Sequence, residues 1–220
     1  MYESTNQTDP DFTLGTPELV CRWRLSSCAL PLENRHLRAL KGRTLPRGMV
    51  STELVAWAKQ HIEWTLTDGA ADHPDGVLMI VVDDHGRAAM SVGPFEPLES
   101  TRLSALLGRV DLAAREAAET GVAPESLWVK TDEGLLWGLD EACVPSGSAS
   151  LVEDLARTVG FTVRRAPGLL DDVRSKRLRI DEAFLVSDEF GVVVPEDCAG
   201  EAGARFAEGY QKLLDKMASK

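Results

Sequence analysis

The segment VPSGSASLVEDLARTVGF, residues 144–161, and its continuation IDEAFLVSDEFGVVVP, residues 180–195, decide how this chain folds. The first piece predicts a helix over Ser150–Val159, capped by Ser148 or Ser150 and ended by Gly160. A strand over Phe161–Arg164 and a short helix over Leu169–Ser175 follow. The second piece alternates turn residues with two apolar runs, Ala183–Val186 and Val192–Val194, which read as strands.

Outward from this segment the pattern stays α/β. Pro17–Leu25 alternates apolar and polar residues, as a half-buried strand does. Leu32–Leu40 suits a helix stopped by Gly42 and Pro46. Ser51 opens a capped helix with Leu54, Val55, Ala58, Ile62 and Leu66 on one face. Val77–Val82 is a continuous apolar run that turns at Asp83–Gly86 into Arg87–Val92, a hairpin. Leu103–Thr120 is an alanine-rich helix ended by Gly121, Leu127–Lys130 a strand, and Ala202–Met217 a terminal amphipathic helix. The expected organisation is a disordered arm over 1–11, an N-terminal α/β domain over 12–92, a linker over 93–100 and a C-terminal domain over 101–220.

Composition excludes several classes. At 220 residues the chain can build one large core or two smaller ones, and a formal charge of −11 argues against nucleic acid or anionic membrane as partner. The first residues, MYESTNQTDPDFT, lack the basic and apolar regions of a signal peptide, and no apolar run is long enough to span a bilayer, so a cytoplasmic location is expected. Cys21, Cys28, Cys143 and Cys198 form no C-x-x-C pair, which argues for reduced thiols and against zinc. His73 and His85 stand near Asp72, Asp75, Asp83 and Asp84, but as solvated loop residues rather than metal ligands. No Walker, G-x-S-x-G, H-E-x-x-H or G-x-G-x-x-G motif occurs.

The 144–195 segment resembles the C-terminal half of the class IV aminotransferases, the pyridoxal phosphate (PLP) fold-type IV family of branched-chain and D-amino-acid aminotransferases and aminodeoxychorismate lyases. That family carries "LPGITR…vleLAeelGi.V" followed by "aDEvFltgTa.gv.PV". The resemblance covers about 103–220 well and 15–92 weakly. It implies a two-domain α/β fold with a barrel-like C-terminal domain, and a homodimer with pockets at its interface.

The resemblance also assigns four chemical jobs. A lysine in K-x-x-N-R forms the Schiff base, and with Gly108-Arg109 in the place of N-R that position holds Ala105. A glutamate four residues after a turn glycine holds the pyridine nitrogen; four after Gly134 stands Gly138, with Asp140 or Glu141 as the nearby carboxylates. The phosphate turn corresponds to Ser146-Gly147-Ser148-Ala149 at a helix start, which reads either as an anion cradle or as an ordinary N-cap. The second phosphate hydroxyl corresponds to Asp188, which repels phosphate unless protonated or paired. The phosphate arginine of H-x-x-R-L is offered by Arg38, one place early relative to His36, with Ala39 at the arginine position.

The expectation is therefore a degenerate class IV homologue with no Schiff base, no metal and no required cofactor. Its pocket residues would be Arg38, Arg109, Ser146, Gly147, Ser148 and Asp188, and Trp137 would fill vacated space. It would bind a small molecule of amino-acid- or chorismate-derived metabolism, or partner an intact homologue. The alternatives are an active PLP enzyme through Lys130 in another register, and a PLP-independent enzyme reusing the pocket.

Overall fold

A computed structural model describes residues 13–218, apart from the side chains of residues 68, 217 and 218. The arm expected over 1–11 lies outside the described residues.

The N-terminal half is built on an antiparallel sheet in the order β1 (Pro17–Arg24), β4 (Val77–Asp83), β5 (Ala88–Gly93). Alternation in β1 turns Leu19, Cys21 and Trp23 inward and leaves Val20 and Arg22 toward solvent. Two helices cover the inner face: α1 (Glu33–Lys41) and α2 (Thr52–Gly69). Ser51 caps α2 by accepting the Leu54 N–H at 3.1 Å, so that Leu54, Ala58 and Ile62 meet Leu78, Ile80 and Val82. A small hairpin, β2 (Thr44–Leu45) with β3 (Gly48–Met49), joins the helices; its two-residue strands carry no periodicity to read.

The C-terminal half holds a five-stranded sheet. Its elements are α3 (Leu103–Thr120), β6 (Glu125–Thr131), β7 (Gly134–Trp137), α4 (Gly147–Thr158), β8 (Val163–Arg165), α5 (Leu169–Arg174), β9 (Glu182–Ser187), β10 (Gly191–Val193) and α6 (Glu201–Ala218). The strand order is β10-β9-β6-β7-β8, antiparallel except for β7 and β8, which α4 connects as a parallel crossover. β6 and β9 are buried on both faces at their centres, which is why Leu127–Val129 and Ala183–Val186 read as short continuous apolar runs. One face packs Trp128, Trp137, Phe184 and Phe206; the other packs Leu127, Val129 and Leu185 against α3 and α5.

Three details differ from the sequence reading. The cap of α4 is Ser146, whose Oγ accepts the Ala149 N–H at 3.3 Å from an extended backbone, so the helix starts before Ser148 and Ser150. β7 is a strand, hidden because Gly134 at its head read only as a turn. Trp137 is fully buried, stacked 4.6 Å from Trp128 with its indole N–H on Ser126 Oγ at 2.9 Å, and belongs to the core rather than to a pocket.

Residues 94–102 carry no helix or strand, yet Phe95 is fixed between the Arg24 guanidinium and Phe190. The halves are joined elsewhere by α1 packing on α4, by the Arg24 N–H on the Asp188 carbonyl at 3.1 Å, and by Arg35 on Ser150 and Asp154. Gly42 lets α1 end against Val144, where any side chain would collide with the valine methyls.

Candidate functional site

Where α1, α4 and the β9–β10 turn meet, four buried polar side chains converge: His36, Ser148, Asp188 and Tyr210. Asp188 places Oδ1 2.8 Å from the Ser148 backbone N–H, at the start of α4, where unpaired N–H groups and the helix dipole favour an anion. Its Oδ2 lies 3.5 Å from His36 Nδ1, and the imidazole is stacked on Trp23 at 4.9 Å. Burial alone would raise the Asp188 carboxyl, but the His36 imidazole and the Ser148 N–H outweigh it and hold the group below the ordinary carboxylate range. Tyr210 is pushed up to about 12 by burial, with Ser148 and Asp188 beside it. Ser148 Oγ and His36 Nδ1 are buried and complete no hydrogen bond. A Cβ on Gly147 would sit 2.3 Å from His36 Nδ1, so only glycine lets the helix start this close to the imidazole.

Two arginine–glutamate pairs line the groove beside this cluster, and a third joins Glu116 to Arg43, which is buried behind it. Arg22 forks onto Glu189 at 2.7 and 2.6 Å, joining β1 to the β9–β10 turn. Arg109 forks onto Glu125 at 2.9 and 2.6 Å, and Ser187 donates to Glu125 at 3.0 Å. Arg43, only 3% exposed, donates to Glu116 at 2.5 Å and to Thr120 at 3.2 Å. These arginines are committed to the protein's own carboxylates. Cys21 lies against the Arg43 pair, and burial pushes its thiol up to about 11.

The residues singled out from sequence do not assemble into one pocket. Ser146, Gly147, Ser148 and Asp188 come together, as expected, with Asp188 seated in the cradle itself. Arg38 is on the exposed face of α1, because His36, Leu37, Ala39 and Leu40 take the buried one. Ala105 is exposed in the first turn of α3 and faces an open hollow with Leu98, Arg109 and Phe190. Gly138 ends β7 with its N–H on the Leu127 carbonyl at 2.8 Å, and lines a separate cleft of about 610 Å³. Asp140 and Glu141 are exposed on the loop beyond it. Lys130 pairs with Glu182 across β6 and β9, roughly 17 Å along the strand from Glu125. Its Nζ donates to the Thr131 carbonyl beside it.

These placements do not fit PLP. No lysine occurs between Lys59 and Lys130, so no shift of register along α3 supplies one. If the motif is counted from Arg102, the residue that precedes α3, the lysine position falls on Leu98 and the conclusion is unchanged. Gly138 offers no carboxylate, and the anion cradle holds Asp188. His36, Glu125 and Tyr210 were not among the residues predicted from sequence. His36 stands in the R-H-L stretch where a signal existed; Glu125 heads β6 and Tyr210 lies in α6, with nothing in the local sequence to mark them.

Among the described residues, Asp83, Asp84 and His85 cluster closely enough to hold a metal ion. Asp83 already accepts from the N–H groups of Gly15, His85 and Arg87 and from the Arg87 guanidinium, which fills the cluster with protein donors. No helix among the described residues is long and apolar enough to cross a membrane.

No known family profile matches the sequence, and no curated protein matches it. Solved structures do. The 4-amino-4-deoxychorismate lyase of Pseudomonas aeruginosa aligns with a TM-score of 0.55 at 15% identity, over 90% of this chain and 91% of that one. A hypothetical aminotransferase of Mycobacterium tuberculosis in its PLP-bound form aligns with a TM-score of 0.53 at 14% identity, over 94% of each chain. The branched-chain amino acid aminotransferase of Thermobaculum terrenum, in a mutant form, gives 0.53 at 15% identity, over 90% and 83%. The chain therefore has the fold-type IV architecture of the class IV aminotransferases and aminodeoxychorismate lyases.

Proposed function

We propose that this protein keeps the class IV scaffold without its cofactor chemistry and acts as a small-molecule-binding protein. One observation carries the reading: the Asp188 carboxylate occupies the N-terminus of α4, 2.8 Å from the Ser148 N–H, where an outside anion would otherwise be held. The absence of lysine between positions 59 and 130 supports it, because the segment to which the resemblance assigns the Schiff-base lysine carries no side-chain amine. The cleft beside Gly138 is the binding site, and the names of the structural neighbours point to a ligand derived from amino-acid or chorismate metabolism. A homodimer belongs to the same reading: Leu112 and Val20, 65% and 39% exposed, leave apolar surface on the groove between the halves.

The visible spectrum of purified protein tests the central point. The expected result is no absorbance band beyond the protein envelope, either as purified or after incubation with stoichiometric PLP followed by desalting to remove the unbound cofactor. A visible band that borohydride removes would refute the proposal.

A further inference from the structure

We propose that the cleft between the C-terminal part of α3 and the Gly138–Cys143 segment binds a small, largely apolar amine as its ammonium ion. The proposal deepens the binding role above and rests on that reading. The cleft measures about 610 Å³, within the roughly 300–1,000 Å³ usual for small-molecule sites. Ala114, Ala117 and Ala118 present one small-residue face of α3, and Val110, Leu139 and Pro167 make the rest of the wall apolar.

Its charge is of one sign. Glu119, Glu125 and Asp140 line it, and no lysine, arginine or histidine does. Arg109 neutralises Glu125, whereas Glu119 and Asp140 are exposed and form no ion pair among the described residues. Asp140 uses Oδ1 to accept the Ala142 N–H at 2.8 Å, which fixes its carboxylate on the loop beside the cleft. The Arg165 guanidinium holds the same loop through the carbonyls of Asp140, Glu141 and Cys143 and stands 3.9 Å from the Glu141 carboxylate. Glu119 and Asp140 therefore keep the balance at the apolar mouth negative, which attracts a cation and repels an anion. Carboxylate or phosphate ligands are thus disfavoured, and the amines obtained by removing the carboxyl group from apolar amino acids fit. A reaction class that supplies them is decarboxylation.

Three probes of one shape but different charge test this: naphthylmethylamine, naphthylmethanol and naphthoate, titrated by calorimetry into the full-length protein. The amine should bind about ten-fold tighter than the alcohol, with naphthoate weakest. Glu119→Gln with Asp140→Asn should erase the amine's advantage and leave the alcohol unchanged. Ala114→Trp, on an exposed helix position, should abolish binding of the amine and the alcohol without lowering Tm. Peptide-resolved alkylation places the site: the amine should slow labelling of Cys143, which lines the cleft, and not of exposed Cys28. Equal affinity for amine and alcohol, tightest binding of naphthoate, no binding of any probe, or indifference to Ala114→Trp would overturn the proposal. With no visible PLP band, such a result removes this proposal alone; a borohydride-sensitive band removes the reading beneath it.

Discussion

The Asp188 carboxylate accepts the Ser148 backbone N–H at 2.8 Å, and so the protein supplies its own anion to the start of α4. The residue comes from the β9–β10 turn, and the imidazole of His36, 3.5 Å from its Oδ2, from the other half of the chain. One carboxylate therefore completes a helix terminus and ties α1 to the C-terminal half.

Replacing Asp188 by Ala should cost about 3–5 kcal/mol, since it strips a buried charge from two partners. Asp188→Asn keeps an acceptor for the Ser148 N–H and should cost about 1–3 kcal/mol. Urea unfolding followed by tryptophan fluorescence measures both. A loss below ~0.5 kcal/mol for the alanine variant would show that the cradle does not need its internal anion.

Gly147→Ala should destabilise by about 1–3 kcal/mol, because its Cβ would press on His36 Nδ1 at 2.3 Å. Most of that loss should disappear in the His36→Ala background, where the collision is gone. Additive losses in the double variant would locate the strain elsewhere.

Arg109→Ala leaves Glu125, 8% exposed, without its guanidinium and should cost about 2–4 kcal/mol. Restoring neutrality with Glu125→Gln in the same chain should recover part of it, as a double-mutant cycle on thermal unfolding would show. A coupling near zero would mean that solvent already screens the pair.

Acid should unfold the protein over a defined window. Burial would raise the Asp83 carboxyl, but the Gly15, Arg87 and His85 N–H groups and the Arg87 guanidinium hold it at about 2. A depressed folded value means stability that is fully present above the unfolded pKa of about 3.9 and lost as pH falls toward 2. Asp188 acts in the same direction. Stability should therefore fall steadily below about pH 4, and Asp83→Asn should flatten that limb. An unchanged acid limb in Asp83→Asn would contradict the assignment.

Long periodic elements were legible in the sequence because their burial writes a repeat: the Leu54–Ala58–Ile62 face of α2, the alternation of β1, the apolar run of β4. β7 was not, since four residues headed by a glycine are indistinguishable from a turn. At the site, the segment 146–149 with Asp188 was recognisable from the motif, and the carboxylate that would repel a phosphate accepts the Ser148 N–H at the helix start itself. Arg38 was misleading because an arginine adjacent to a motif position says nothing about which face of α1 is buried; Ala39 takes the inward place. Glu125 and Tyr210 are brought in by tertiary packing alone, from residues with no local signature.

The central claim is that no lysine of this chain forms a Schiff base with PLP. Incubating the protein with one equivalent of PLP, reducing with borohydride and measuring the intact mass tests it most directly. The predicted result is the unmodified mass. A stoichiometric phosphopyridoxyl adduct on a single lysine, Lys130 above all, would contradict it.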